Sequence, residues 1–499
     1  MTTEKRYEAF LALAREIYDL ERAEELLSWD QQTYMPPKGA GARASQLGTL
    51  AGLRHDLLVG SRMADLLAGL DEREGGGLDE DARVNVREIR RLHDRERKVP
   101  TELVKELARL QSLSHEAWVP ARKGSNFGAF APWLEKVLRA KLLIADAIGF
   151  AGSRYDALLD EFEPGATASE IARVFDRLKE RLVPFAERVL EESRSAPGPI
   201  KGDYPIAAQE KLCRRLAEMI GFDMEAGRID ISAHPFTMGN LHDVRFTNRY
   251  DEHDLSSGIF GALHEGGHAL YEQGYDPAHA GTPRAAYASL GIHESQSRMW
   301  ENFVGRSRPF WMHALPILKE YFPSAAGIGL DEWHRNVNRA EASLIRVEAD
   351  EVTYNLHILL RFEIEKELAE GRLSVRDLPG VWNDKMRSYL GIEPPDDARG
   401  VLQDIHWSMG LLGYFPTYAL GNLYAAQFYR AARRAIPGLE EGFSRGEFAP
   451  LLTWLRKEIH TRGRTYPSGE LARVVTGEPL DSSCFMDYLE EKHGGMRAA

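Results

Sequence analysis

Residues 264–268 read HEGGH, a spacing of two histidines and a glutamate that can bind a metal ion. On a helix, positions i and i+4 share a face, so His264 and His268 present two imidazoles to one ion. Glu265 then sits beside the ion without ligating it, placed to take a proton from the attacking water. An open catalytic site needs a third protein ligand, and Glu294 of His293-Glu294-Ser295, on a following helix, completes a His2Glu set. The chemistry indicated is metal-assisted hydrolysis.

The segment DLSSGIFGALHEGGHALYEQG places Leu255, Ile259, Leu263 and Leu270 at helical spacing, with Gly274 as a stop. Immediately before it, Arg228 to Ser232 and Asp243 to Tyr250 alternate like strands around a turn-rich middle. They predict a small antiparallel sheet next to the metal helix, whose edge can pair with an extended peptide. Most of the remaining chain has helical periodicity, over 4–29, 80–98, 101–119, 128–148, 168–193, 206–220, 331–370 and several segments after 375. Thr167-x-x-Glu170 and Ser374-x-x-Asp377 read as helix starts. Breaks fall at 35–41, 74–77 and 195–205, none long or polar enough for a flexible linker, so a single catalytic domain over 1–499 is expected. The Asp71 to Asp81 stretch reads as a solvated turn.

Composition excludes several functions. With 43% apolar and 28% charged residues the chain is ordinary for a globular protein, and a formal charge of −13 disfavours nucleic acid and anionic membranes as partners. Peptides or other small substrates fit better. The two cysteines, Cys213 and Cys484, are too few for a disulfide framework and read as buried thiols. The amino terminus has no apolar signal core, which predicts a cytoplasmic enzyme. Met409 to Phe428 carries little charge, but Gly410, Gly413, Pro416, Gly421 and Asn422 interrupt it, predicting buried or cleft-lining backbone instead of a membrane span.

HPF (234–236), DVRFT (243–247), HEGGH (264–268), HESQSR (293–298), IRVEAD (345–350) and GVLQDIHW (400–407) resemble the ordered motif set of the carboxypeptidase Taq family. WDQQTYMP (29–36) and GYFPTYALGN (413–422) extend the likeness over nearly the whole chain. The resemblance implies a cytoplasmic, metal-dependent carboxypeptidase of broad specificity, acting as a homodimer on peptides with a free carboxyl end. Its fold would be mainly α, with two helical lobes around a deep groove and a small sheet near the metal, as in neurolysin-like peptidases. The implied ligands are His264, His268 and Glu294, and the implied general base is Glu265, in agreement with the motif chemistry. One zinc ion per chain suits this set, and cobalt fits the same geometry. Gly266 departs from the alanine more usual in the family.

Read alone, His406 and Tyr418 are core residues. The resemblance makes them donors to the oxyanion. A free carboxylate is best met by the bidentate fork of arginine, for which Arg245 on the expected strand and Arg346 on the expected long helix are the candidates. Arg346 also has Asp350 one turn away, which would make it a helix-surface ion pair. His234, Asp243, His293, Gln403 and Asp404 are candidates for orienting ligands or the substrate backbone. Two competing functions are an oligopeptidase, which would also cut amidated peptides, and a non-catalytic binding module, which would hold no metal.

Overall fold

The computed structural model describes residues 1–70, 77–194 and 198–498, and 495–498 through their backbone alone. The protein is mainly helical. Expected helices over 80–98 and 168–193 are found at Glu80–Lys98 and Ala168–Ser193, and the first helix runs on to Thr33. Thr167 caps its helix by accepting from the Glu170 amide, and Ser374 does the same for Arg376. Parts of the expected breaks at 74–77 and 195–205, and much of the acidic stretch from Asp71, lie outside the described residues. The end of that stretch is not simply solvated: Asp79 caps Glu80–Lys98, and Asp81 pairs with Arg284 at 2.7 Å.

Among the described residues three buried clusters form, the smallest of Leu110, Val137 and Ala140. Phe10, Leu13, Met63, Leu66, Leu67 and Ile89 pack the amino-terminal helices into one layer, and a larger core spans the helices from Trp118 to Leu489. The first helix also bridges to the sheet, where Trp29 lies between the guanidinium groups of Arg228 and Arg245, each 4.9 Å from its ring.

The sheet corrects one expectation. Strands β1 (Gly227–Ile231), β2 (Thr237–Asn240) and β3 (Asp243–Asn248) stand in the order β1-β3-β2, with β1 parallel and β2 antiparallel to β3. The sheet is therefore mixed. The middle read as turn contains a strand of its own, closed against β3 by Leu241 and His242, with Leu241 at φ 48°. Gly239 (φ 105°) permits this hairpin, since a Cβ there would lie 1.9 Å from the Asp243 carbonyl.

The expected long helix over 331–370 is broken. Helices Leu330–Val337 and Tyr354–Ala369 are separated by irregular chain that carries Arg346 on a single 3-10 turn. Asp350 explains the break: its carboxylate accepts from the amides of Glu341 (2.9 Å), Val352 (2.8 Å) and Thr353 (3.1 Å), donors a continuous helix would have used. Asp350 thus holds a loop and does not pair with Arg346.

Candidate active site

The motif helix, Leu255–Glu272, starts where the Asp254 carboxylate accepts from the amides of Ser256 and Ser257. Beside it runs the ligand helix, Leu290–Arg298, capped by Ser289 and held at its start by the buried Glu163 carboxyl, which accepts from the Gly291 amide and, at 3.1 Å, from Ser468. Two glycines let these elements approach. A Cβ on Gly267 would lie 2.6 Å from the Gln296 carbonyl and 2.7 Å from Ser297 Cα. A Cβ on Gly421, in helix Pro416–Ala435, would lie 2.4 Å from Glu294 Cγ. The expected cleft-lining backbone of 409–428 is in part this helix, pressed onto Glu294.

The result is a convergence of His264, His268 and Glu294, with one ligand atom from each within 4.8 Å of the others. Glu294 Oε2 is 3.7 Å from His264 Nε2 and 3.4 Å from His268 Nε2. The remaining nitrogens are taken: His264 Nδ1 meets Glu301 Oε2 at 2.8 Å, and His268 Nδ1 meets His293 Nδ1 at 2.6 Å. Glu294 Oε1 accepts from Arg298 Nε at 2.7 Å. Two imidazole lone pairs and one carboxylate oxygen are therefore left facing one point, a donor set that fits a divalent ion.

The electrostatics favour an ionised Glu294 and a neutral His268. Burial works against charge on Glu294, but Arg298, His264 and His268 hold its carboxyl far below the usual range. Burial and the neighbouring His293 push His268 down to about 3, so its imidazole is neutral. His264 goes the other way: burial opposes its protonation, but Glu294 and Glu301 outweigh it. The Glu265 carboxyl is raised by burial, with His264 and a hydrogen bond from Thr237 Oγ1 (2.7 Å) opposing the rise. A buried carboxylate of raised basicity beside the ligands suits a general base.

A second polar cluster surrounds Arg346. Asp404 accepts from Arg346 Nε at 3.0 Å and from Arg361 Nε at 2.8 Å, and the Gln403 side chain accepts from the Arg346 amide (2.9 Å) and Arg361 Nη2 (2.8 Å). Arg346 Nη1 donates to Tyr354 at 3.0 Å, and Arg298 lies over the Tyr354 ring at 4.4 Å, which links this cluster to Glu294. His406 Nε2 stands 3.3 Å from the Tyr418 hydroxyl, and burial lowers the His406 pKa to about 3, against the pull of Asp404. Arg346, Gln403, Asp404, His406 and Tyr418 are thus brought together. Arg245 is not among them: Asp243 takes its Nε and Nη2 at 2.7 and 2.9 Å, and it stacks on Trp29. His234 is exposed, and its carbonyl accepts from Ser232.

The loop bearing these residues hangs on Glu365. Buried without a cationic hydrogen-bond partner, its carboxyl accepts from Tyr155 (2.7 Å), Trp407 Nε1 (2.8 Å) and the Gly413 amide (2.9 Å). Burial raises its pKa from 4.5 to about 7. A carboxyl that keeps its proton longer in the folded state stabilises most below its unfolded pKa, and that stability is lost as pH rises through the folded one. Between pH 4.5 and 7 this costs ~3 kcal/mol. Glu365→Gln should therefore unfold in urea with a flatter pH dependence than the wild type over this window. Parallel profiles would exclude the protonated carboxyl.

Sequence reading missed Glu301, Arg298, Thr237 and Tyr354. Glu294, Arg298 and Glu301 recur at i, i+4 and i+7, a polar stripe that could have been noticed. Glu301 lies on a π-helical turn, Met299–Val304, that follows the ligand helix.

Comparison with known proteins agrees with this geometry. The family model described as carboxypeptidase Taq (M32) metallopeptidase matches residues 9–493. Thermostable carboxypeptidase 1 of Thermus thermophilus is 45% identical, with 99% of this chain and all of the relative covered, and carboxypeptidase 1 of Bacillus subtilis is 38% identical, with 98% of each covered. The crystal structure of the M32 carboxypeptidase of Deinococcus radiodurans superposes with a TM-score of 0.96 at 38% identity, covering 99% of this chain and 100% of that one. The oligopeptidase alternative is not favoured by these relatives. With a metal-ready His2Glu convergence, a buried glutamate beside it and a family match over nearly its whole length, the chain belongs to the carboxypeptidase Taq (M32) family of metallopeptidases.

Proposed function

We propose that this metallocarboxypeptidase releases single carboxyl-terminal residues from peptides with broad specificity, using one zinc ion per chain held by His264, His268 and Glu294. The observation that carries this reading is the Glu265 carboxyl, 7% exposed, hydrogen-bonded to Thr237 and raised in basicity beside the three converging ligands. A divalent ion there would supply Lewis-acid polarisation and a more acidic water. Glu265 is placed to accept a proton from the attacking water and to deliver it to the leaving amine. His406 and Tyr418 donate to the developing oxyanion. Burial raises the Tyr418 hydroxyl well above its ordinary pKa, so it keeps the proton it donates.

Arg346 is the group we assign to the substrate carboxylate. It is 5% exposed, and Asp404 and Gln403 fix its position without using all five of its N–H groups. Arg245, engaged by Asp243 and Trp29, is the alternative, with His234 and Asp243 beside the same strand. Finer features of the proposal rest on the family resemblance: a single catalytic unit over 1–499, a homodimer, and a cytoplasmic location. Among the described residues no helix is long and apolar enough to cross a membrane.

The test is a matched pair of blocked peptides, one ending in a free carboxylate and one amidated, assayed with chelator and after zinc or cobalt is restored. Metal-dependent release of the last residue from the free-ended peptide alone is expected, whereas cleavage of both would favour an oligopeptidase. Arg346→Ala should reduce the preference for the free end by about 10-fold or more, given that charge-assisted hydrogen bonds contribute about 1.5–3 kcal/mol. An unchanged preference would move the role to Arg245.

A further inference from the structure

The two ligand histidines are backed in different ways. His264 Nδ1 faces a carboxylate, Glu301, itself held by Arg298 Nη1 at 3.1 Å and Arg306 Nη2 at 3.2 Å. His268 Nδ1 faces another imidazole, that of His293, whose far nitrogen Nε2 meets Glu272 Oε1 at 2.8 Å. Glu272 lies one turn beyond His268 on the motif helix, and His293 immediately precedes Glu294 on the ligand helix. The contact therefore starts from one helix, crosses to the other and returns.

Proton counting gives this chain a direction. Glu272 as a carboxylate can only accept, so in a neutral His293 imidazole Nε2 carries the hydrogen and Nδ1 is a bare lone pair. That lone pair requires His268 Nδ1 to be the N–H, which leaves His268 Nε2 free toward Glu294. Reversing either bond would put a hydrogen on His268 Nε2 and abolish ligation. The rings of Tyr271 and Tyr287 pack around His293 at 5.5 and 5.2 Å between centroids, holding it in this orientation.

We propose that His293 is a positioning residue for the metal, and that the relay His268–His293–Glu272 locks His268 in its ligating tautomer and orientation. This rests on the reading of His264, His268 and Glu294 as metal ligands. The relay also ties the two ligand-bearing helices together, so that aim and spacing are set by one set of bonds.

The test uses the full chain stripped of metal, with zinc affinity measured by competition against a chromophoric chelator and the visible spectrum recorded with cobalt. His293→Phe, which removes both bonds, should weaken zinc binding by about 10- to 100-fold and alter the cobalt spectrum. His293→Asn, which restores an acceptor facing His268, should recover most of the affinity. Equal affinity in wild type and His293→Phe would overturn the proposal, as would equal weakening in both variants at matched folding, since packing alone would then be responsible. If His293→Phe fails to fold, Glu272→Met replaces it, which leaves His293 Nε2 without its acceptor: a spectrum and affinity identical to wild type would again overturn the relay. Glu294→Gln separates the underlying reading, because ion uptake undiminished in that variant would remove the metal site itself and the relay with it.

Discussion

Glu265→Gln should lower turnover by about 100- to 10,000-fold, the span of general acid–base catalysis, while metal content stays at the wild-type level. The substitution keeps shape and burial. Thr237 Oγ1, 2.7 Å from Glu265 Oε2 and 3.0 Å from the Glu265 carbonyl, can still donate to the amide oxygen. The fold at this point is thus retained, and what disappears is the capacity to hold a proton between water and the leaving amine. Glu265 is not one of the three converging groups, so the donor set for the ion is untouched and metal content should be kept. Kinetics on a free-ended peptide with metal analysis of the same sample distinguish the two effects. Turnover within a few-fold of wild type would remove Glu265 as the base, and loss of metal together with activity would make the kinetic result uninformative about proton transfer, in which case single-turnover rates at saturating zinc decide.

The convergence of His264, His268 and Glu294 was legible because their relation is local or nearly so. HEGGH carries its geometry in a helix period, and Glu294 follows on the next α-helix, the short Leu290–Arg298. The groups that orient them were hidden by irregular backbone. Glu301 reaches His264 through a π-helical turn, whose period differs from the one used to read the segment. The periodicity of 331–370 predicts a helix through Arg346, yet Asp350 diverts three amides and Asp404, distant in sequence, supplies the actual partner. Local pattern cannot contain a pairing between residues 346 and 404. The sheet failed for a similar reason: alternation identified β1 and β3, but their parallel register depends on β2 folding back between them in sequence while lying outside them in space. Periodicity matched the structure at Glu80–Lys98 and Ala168–Ser193, and failed over 331–370, where the Asp350 side chain substitutes for backbone partners.

Gly266 and Gly267 are adjacent on the motif helix, and the same substitution should have opposite consequences at the two. A Cβ on Gly266 would meet only Ile220 Cδ1, at 3.3 Å, the movable end of a side chain. Gly266→Ala should therefore raise stability by up to about 0.5–1 kcal/mol through helix propensity, less what Ile220 must yield. At Gly267 the obstruction is backbone: the Gln296 carbonyl at 2.6 Å and Ser297 Cα at 2.7 Å. Accommodating a methyl group there means shifting the ligand helix, with a cost of about 1–3 kcal/mol in stability. The larger effect is on the site, because the displaced backbone of Gln296 and Ser297 lies within one turn of Glu294, and Gly421 already presses on that side chain. A misplacement of about 1 Å in such a constellation lowers activity by about 100-fold. Urea unfolding and zinc affinity measured on both variants check this pair of outcomes. A Gly267→Ala protein that binds zinc and turns over like wild type would show that the ligand helix is free to slide, contrary to its packing between Gly267 and Gly421.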